Sequence, residues 1–208
     1  MAALTADIVW LVQQEVTRAD GSVEKVLVPQ VYARVREGDL TGSGALLAGK
    51  DVDIRVGGDL VNSGSFGGRN VVNVAADNVQ NVGGRIHGDA VSVSAKTDLN
   101  NVGGTISANT ELIAIAGRDI NVETTTRSAS SAGGGDSFGR TSIDRVGGLY
   151  VTGDGGAGSG TLVASAGRDL NLLAGQIGNA GKDGATLLQA GNNLNLGTVT
   201  TASCNSPT

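Results

Sequence analysis

Rings, thiols and imidazoles are scarce in this chain: one Trp, two Tyr, two Phe, one Cys and one His among 208 residues. So few aromatics suit a narrow interior that has no room for large rings. The lone Cys204, four residues from the end, can close no internal disulfide. Without a histidine nearby it makes neither a zinc site nor a nucleophile pair. No stretch approaches the ~18 apolar residues of a membrane span. Residues 1–12 have no basic leader, contain Asp7 and hold only the short apolar run Ile8 to Val12, so no secretory signal is read here. If the parent protein is exported, its signal is expected upstream, with Met1 an internal start. The net charge of −5 is scattered in sign and makes no electrostatic case for nucleic acid.

Glycine is plentiful, 34 residues, and is placed by a repeat. Asn78-Val79-Gln80-Asn81-Val82-Gly83-Gly84-Arg85-Ile86 returns as Asp98-Leu99-Asn100-Asn101-Val102-Gly103-Gly104-Thr105-Ile106. Asp59-Leu60-Val61-Asn62-Ser63-Gly64 is the same phrase with one glycine fewer, and Asp39-Leu40 and Asp119-Ile120-Asn121 open further copies. The starts fall at 39, 59, 78, 98 and 119. A steady period of about 20 residues means stacked supersecondary units.

Each unit carries an alternating apolar run: Val52, Ile54, Val56; Val91, Val93, Ala95; Leu112, Ala114, Ala116. Alternation marks a strand with one buried face. Twenty residues leave no room for a crossover helix, so the expected fold is all-β: a right-handed parallel β-helix (β-solenoid) of about 20-residue coils, spaced about 4.8 Å apart. Asn62, Asn81 and Asn101 recur at one place in the turn and read as a structural ladder of stacked amides. Trp10 and Tyr32 lie on two strand-like runs around Ala19-Asp20-Gly21-Ser22, an N-terminal β-hairpin with Pro29 at an edge or bulge.

The organisation expected is 1–35 hairpin flanking or capping the solenoid, 36–122 regular coils, 123–148 loop insertion, 149–197 resumed coils and 198–208 tail. Thr124 to Gly135 has no apolar period and reads as a passive exposed loop, with Arg127 and Arg140 as its possible contact residues. The Ala-Gly-Arg-Asp phrase at 116–119 recurs at 166–169, with Ala190-Gly191-Asn192-Asn193 as a third copy and Ala48-Gly49-Lys50-Asp51 as a fourth that is out of step with the twenty-residue register. No polar cap follows Gly197, so the last coil is expected to stay open, as in a segment of something longer.

These phrases, with Val9-Trp10-Leu11-Val12, Val26-Leu27-Val28-Pro29-Gln30-Val31-Tyr32, Gly42-Ser43-Gly44-Ala45-Leu46-Leu47-Ala48-Gly49 and Ser142-Ile143-Asp144-Arg145-Val146-Gly147-Gly148-Leu149-Tyr150-Val151, resemble the haemagglutinin-repeat region of filamentous haemagglutinins and of the related contact-dependent inhibition effectors. The resemblance implies a two-partner secretion exoprotein, secreted to the bacterial cell surface. Its implied partners are an outer-membrane transporter and a receptor on a host or neighbouring cell. It further implies an adhesin-like virulence filament, whose parent presents a C-terminal toxin where it is an inhibition effector.

The residues show no catalytic constellation. Polysaccharide-cleaving β-helices need clustered acids with basic or His partners on one outer face. Here the Asp residues sit mostly at the repeating corner, and His87 reads as an exposed turn residue. Gly155 to Leu162 resembles a calcium nonapeptide, but Gly160 stands where the ligand Asp belongs. The reading is therefore no enzyme, no cofactor and no metal: a structural and adhesive stalk segment. The alternative is a polysaccharide-binding or polysaccharide-cleaving β-helix.

Overall fold

In the computed structural model, residues 8–17, 23–32, 44–133, 136–153 and 160–206 are described. The chain divides into two units, Met1–Leu40 and Thr41–Thr208. In the first unit, β1 (Ile8–Thr17) and β2 (Val23–Tyr32) form an antiparallel hairpin in which Trp10 is opposite Gln30 and Leu11 opposite Pro29. The turn read at Ala19–Ser22, the side chains of Trp10 and Tyr32, and the copy at Asp39-Leu40 lie outside the described residues.

The second unit is a parallel β-solenoid. Six rungs stack: β3 (Leu46–Arg55) with β4 (Leu60–Asn62), β5 (Ser65–Ala76) with β6 (Val79–Val82), β7 (Arg85–Ala95) with β8 (Leu99–Val102), and β9 (Thr105–Ala116) with β10 (Ile120–Glu123). After β11 (Thr125–Gly133) and β12 (Asp136–Arg145) come β13 (Gly148–Val151), β14 (Thr161–Ala166) and β15 (Leu170–Leu173) of the fifth rung. The sixth is β16 (Gln176–Asn179), β17 (Ala185–Ala190) and β18 (Leu194–Gly197), followed by β19 (Ala202–Ser206). Each long strand kinks at a register shift, as between Gly88 and Ala90, which divides it into two faces of the coil. Coils beginning at Ser65, Arg85 and Thr105 are 20 residues apart, matching the period of the phrases.

The alternating runs point into the coil as columns in strict register. One column is Phe66, Ile86, Ile106, Leu149 and Ile177; another is Val74, Val93, Ala114, Ala164 and Leu188; a third is Val79, Leu99, Ile120, Leu170 and Leu194. The central members are fully buried, whereas Val56, in the first rung, is exposed. On the sixth rung Leu194 is 49% and Leu196 76% exposed, since among the described residues β18 pairs with β15 alone. Among the described residues no helix is long and apolar enough to cross a membrane.

Two readings of the sequence need correcting. The stretch after Glu123 is not a structureless loop: β11 and β12 pair antiparallel as a projecting arm, and β19, from the expected tail, adds to the other side of β12. Its side chains from Thr126 to Ser131 are all exposed, so neither face of the strand is buried and no alternation is written into the sequence. Second, Ala48-Gly49-Lys50-Asp51 runs within β3, not around the corner where Ala116-Gly117-Arg118-Asp119 lies. The likeness there is one of letters only.

Candidate functional site

The corner between the third face and the next coil explains the glycine pairs. Gly83 and Gly103 adopt positive φ, +64° and +58°, a backbone that L side chains avoid. Against these corners lies the base of the arm. A Cβ on Gly83 would meet Arg145 Nη1 at 2.1 Å, and one on Gly103 would meet Arg145 Cβ at 3.0 Å and Thr125 at 3.2 Å. Arg145 donates from Nη1 to the Gly83 carbonyl at 3.2 Å, and its backbone N–H donates to Thr125 Oγ1 at 3.2 Å. The glycines thus leave room for the base of the arm, at Thr125 and Arg145, beside the corners of two earlier coils.

Behind that corner, Asn62, Asn81 and Asn101 are brought together in the interior. Asn62 Nδ2 donates to Asn81 Oδ1 at 2.8 Å, and Asn81 Nδ2 donates to Asn101 Oδ1 at 2.7 Å. Asn101 closes the series on the Gly104 and Gly148 carbonyls at 2.9 and 3.0 Å. Gly84 and Gly104 press on these amides; a Cβ on either would stand 2.4 Å from one. Beyond Asn101 the same column continues as Val122, Leu172 and Leu196.

Two further ladders went unread. Asn121 donates to Asn100, Asn171 to Asn121 and Asn195 to Asn171, at 2.6, 2.7 and 2.7 Å, along the outer face of the third sheet. The signal was available in Asp-Leu-Asn and Asp-Ile-Asn, where the Asn falls one place after an inward residue and so faces out. At the corner, Arg118 forks onto Asp98 and Arg168 onto Asp119, each reaching back one coil, with Nε–oxygen distances of 2.8 Å. Backbone N–H groups of Asp119 and Asp169 donate to the same carboxylates at 3.3 and 3.2 Å. The glycine of Ala-Gly-Arg-Asp is there for close approach: a Cβ on Gly167 would sit 2.2 Å from the Gly117 carbonyl oxygen.

The Arg118 guanidinium holds the Asp98 carboxyl below the usual carboxylate range, against burial, which pushes it up; Arg168 does the same for Asp119. A carboxylate with a lowered folded pKa stabilises fully above its unfolded value, near 3.8, and loses that contribution as pH falls through the lower folded value. Replacing both Arg118 and Arg168 by Gln should therefore lower the melting temperature at pH 7 and shrink the loss seen between pH 5 and pH 2. Melting curves across that range measure it.

Arg127 and Arg140 sit on neighbouring arm strands, Arg127 opposite Ser142 and Arg140 opposite Ala129, which puts both on one face of the arm. Both are exposed, as is Phe138 two residues before Arg140. Open grooves line the arm, one bounded by Arg140 to Ile143 and by Thr201 to Ser203. His87 lies within β7, half-buried, not in a turn; its ring covers Gly67, where a Cβ would meet it at 2.8 Å. Most of the nonapeptide-like stretch, residues 154–159, lies outside the described residues. Among the described residues no group of three His, Cys, Asp or Glu is placed to hold a metal.

No protein-family model and no solved structure matches the chain. Among curated proteins it is similar to the 16S rRNA endonuclease CdiA of Enterobacter cloacae subsp. cloacae, at 29% identity over 182 residues. The match covers 85% of this chain and 5% of that protein's length. The chain is a homologue of a segment of that CdiA, and the resemblance to contact-dependent inhibition effectors carried by its repeats is matched by the solenoid those repeats build.

Proposed function

We propose that this chain is a non-catalytic stalk segment of a large secreted surface filament, with the β11–β12 arm as its contact element. The observation that carries the reading is the stack of six coils in register, whose interior is side chains and whose outer faces are closed by amide and Arg–Asp ladders. Such a body transmits length and stiffness, since each coil is bonded to its neighbours along every strand. Homology to part of a CdiA supports the filament reading. Presentation of a C-terminal toxin by the parent protein, delivery through a two-partner secretion transporter and binding of a cell-surface receptor follow from the same kinship as proposals.

The arm is the contact element because it projects exposed Arg127, Arg140 and Phe138 on strands whose described side chains from Thr126 to Ser131 and from Phe138 to Arg145 are exposed or half-buried. The test replaces residues 128–141 by Asn-Gly, which closes a two-residue turn between the facing pair Arg127 and Ser142. The melting temperature should stay within a few degrees of the parent's, since few apolar contacts are lost. Adhesion of bacteria displaying the chain to neighbouring or host cells should fall to the level of the empty display anchor. Full adhesion by the armless variant removes the contact role, while leaving the stalk reading intact.

A further inference from the structure

The three-stranded arm has two outer edges, β11 and the short β19, and among the described residues neither pairs with a further strand; β11 is the longer of the two. In the three-stranded order β11, β12, β19, the strand β11 pairs only with β12 among the described residues. Its outer edge therefore presents a row of backbone N–H and C=O groups to solvent. Edges of this kind are ordinarily blunted by proline, by lysine, by a bulge or by a covering element. The described register of β11 runs unbroken from Thr126 to Gly133, the only shift being at Thr125/Thr126, and the strand contains no proline and no lysine. The solenoid strands of the inner rungs, in contrast, are paired on both sides.

The opposite side of the arm shows what this sheet accepts. β19, Ala-Ser-Cys-Asn-Ser, adds antiparallel to β12 from Ser137 to Thr141. It has no large apolar side chain and no charge, so it is held by backbone bonding. A strand adding to β11 needs the same: small polar residues and no like charge opposite Arg127. β11 itself, Thr-Thr-Arg-Ser-Ala-Ser-Ser-Ala-Gly, meets both conditions. Antiparallel self-pairing centred on Ala129 sets Arg127 against Ser131 of the second copy, Ser128 against Ser130 and Thr126 against Ala132, so the two guanidinium groups never face each other. It also stops short of the shift at Thr125.

We infer that the free edge of β11 is a strand-addition surface whose occupant is β11 of a second copy of this chain, joining two arms into one six-stranded antiparallel sheet. The inference stands on the arm's edge and does not need the filament reading. An isologous contact of this kind closes on itself as a dimer and does not propagate.

Sedimentation equilibrium of the full chain over a concentration series tests it, together with oxidative cross-linking in a Cys204→Ala background. The unmodified chain should show a monomer–dimer equilibrium. Ala129→Lys, which sets two like charges directly opposite at an exposed position, should weaken the dimer about fivefold or more. Ala129→Cys should form a disulfide-linked dimer on mild oxidation, because opposed Cα atoms lie about 4.5–5.5 Å apart, within disulfide reach. Ser131→Cys should not, its partner thiol being about 13 Å away along the strand. A chain that is monomeric throughout overturns the inference. So does a dimer indifferent to Ala129→Lys, or one linked as readily through Ser131→Cys.

Discussion

Val93→Asp is expected to leave the solenoid unfolded at room temperature. Val93 is fully buried, stacked between Val74 of the preceding coil and Ala114 of the next. A carboxylate placed there has no polar partner within the column, because the inward neighbours are Val and Ala. Burying an unpaired charge costs several kcal/mol even after the group protonates, against a total stability of about 5–15 kcal/mol for an ordinary domain. The coils pack only on their neighbours, so damage to one rung removes the seat of the next. Asp89→Ala is the matched control. Asp89 lies at the register shift of β7, and its carboxylate accepts a long 3.4 Å contact from Asn109, so its loss should cost within about 0.5 kcal/mol. Denaturant unfolding followed by circular dichroism measures both, and equal losses would refute the inward assignment.

Asn81→Ala should be the next most damaging substitution, at roughly 3 kcal/mol. Asn81 is fully buried and makes three bonds: it accepts from Asn62, donates to Asn101 Oδ1 and donates to the Gly84 carbonyl at 3.0 Å. Alanine deprives the amides on both sides at once, and each buried polar group left without a partner costs about 1–3 kcal/mol. Asn121→Ala removes a similar pair of bonds from the outer ladder, but there water replaces the lost partner. It should cost about 1 kcal/mol or less. The comparison separates burial from bonding, since the two amides are joined to their neighbours at nearly equal distances. Unfolding curves for the two variants and their double mutant would read it, and equal costs would show that the interior ladder gains nothing from its burial.

Much of this protein was legible as letters. The twenty-residue phrase gave the coil its length, and alternation assigned Val91, Val93, Leu112 and Ala114 to the interior before any coordinates. That worked because a solenoid is nearly one-dimensional: each coil meets its neighbours through the same few positions, so a local period carries the long-range pairing. The placement of Asn62, Asn81 and Asn101 was legible for the same reason, each falling two places after an inward residue in its repeat.

Where contacts skip the period, the letters were silent. β19 pairs with β12 across some sixty residues, and neither strand buries a face, so no alternation records the partnership. Arg118 and Arg168 look like ordinary surface charges in the sequence; only the stacking of one coil on another brings each onto the Asp of the coil before. The glycines were visible, but their reasons were not: Gly83 and Gly103 make room for Arg145 of a distant arm, and Gly84 and Gly104 for amides of their own and the preceding coil. A repeat determines what every coil shares with its neighbour, because burial imposes the same choice at each turn. What interrupts the repeat is held by backbone bonds and close approaches between distant segments, which no local pattern of polarity encodes, and only the tertiary structure decided it.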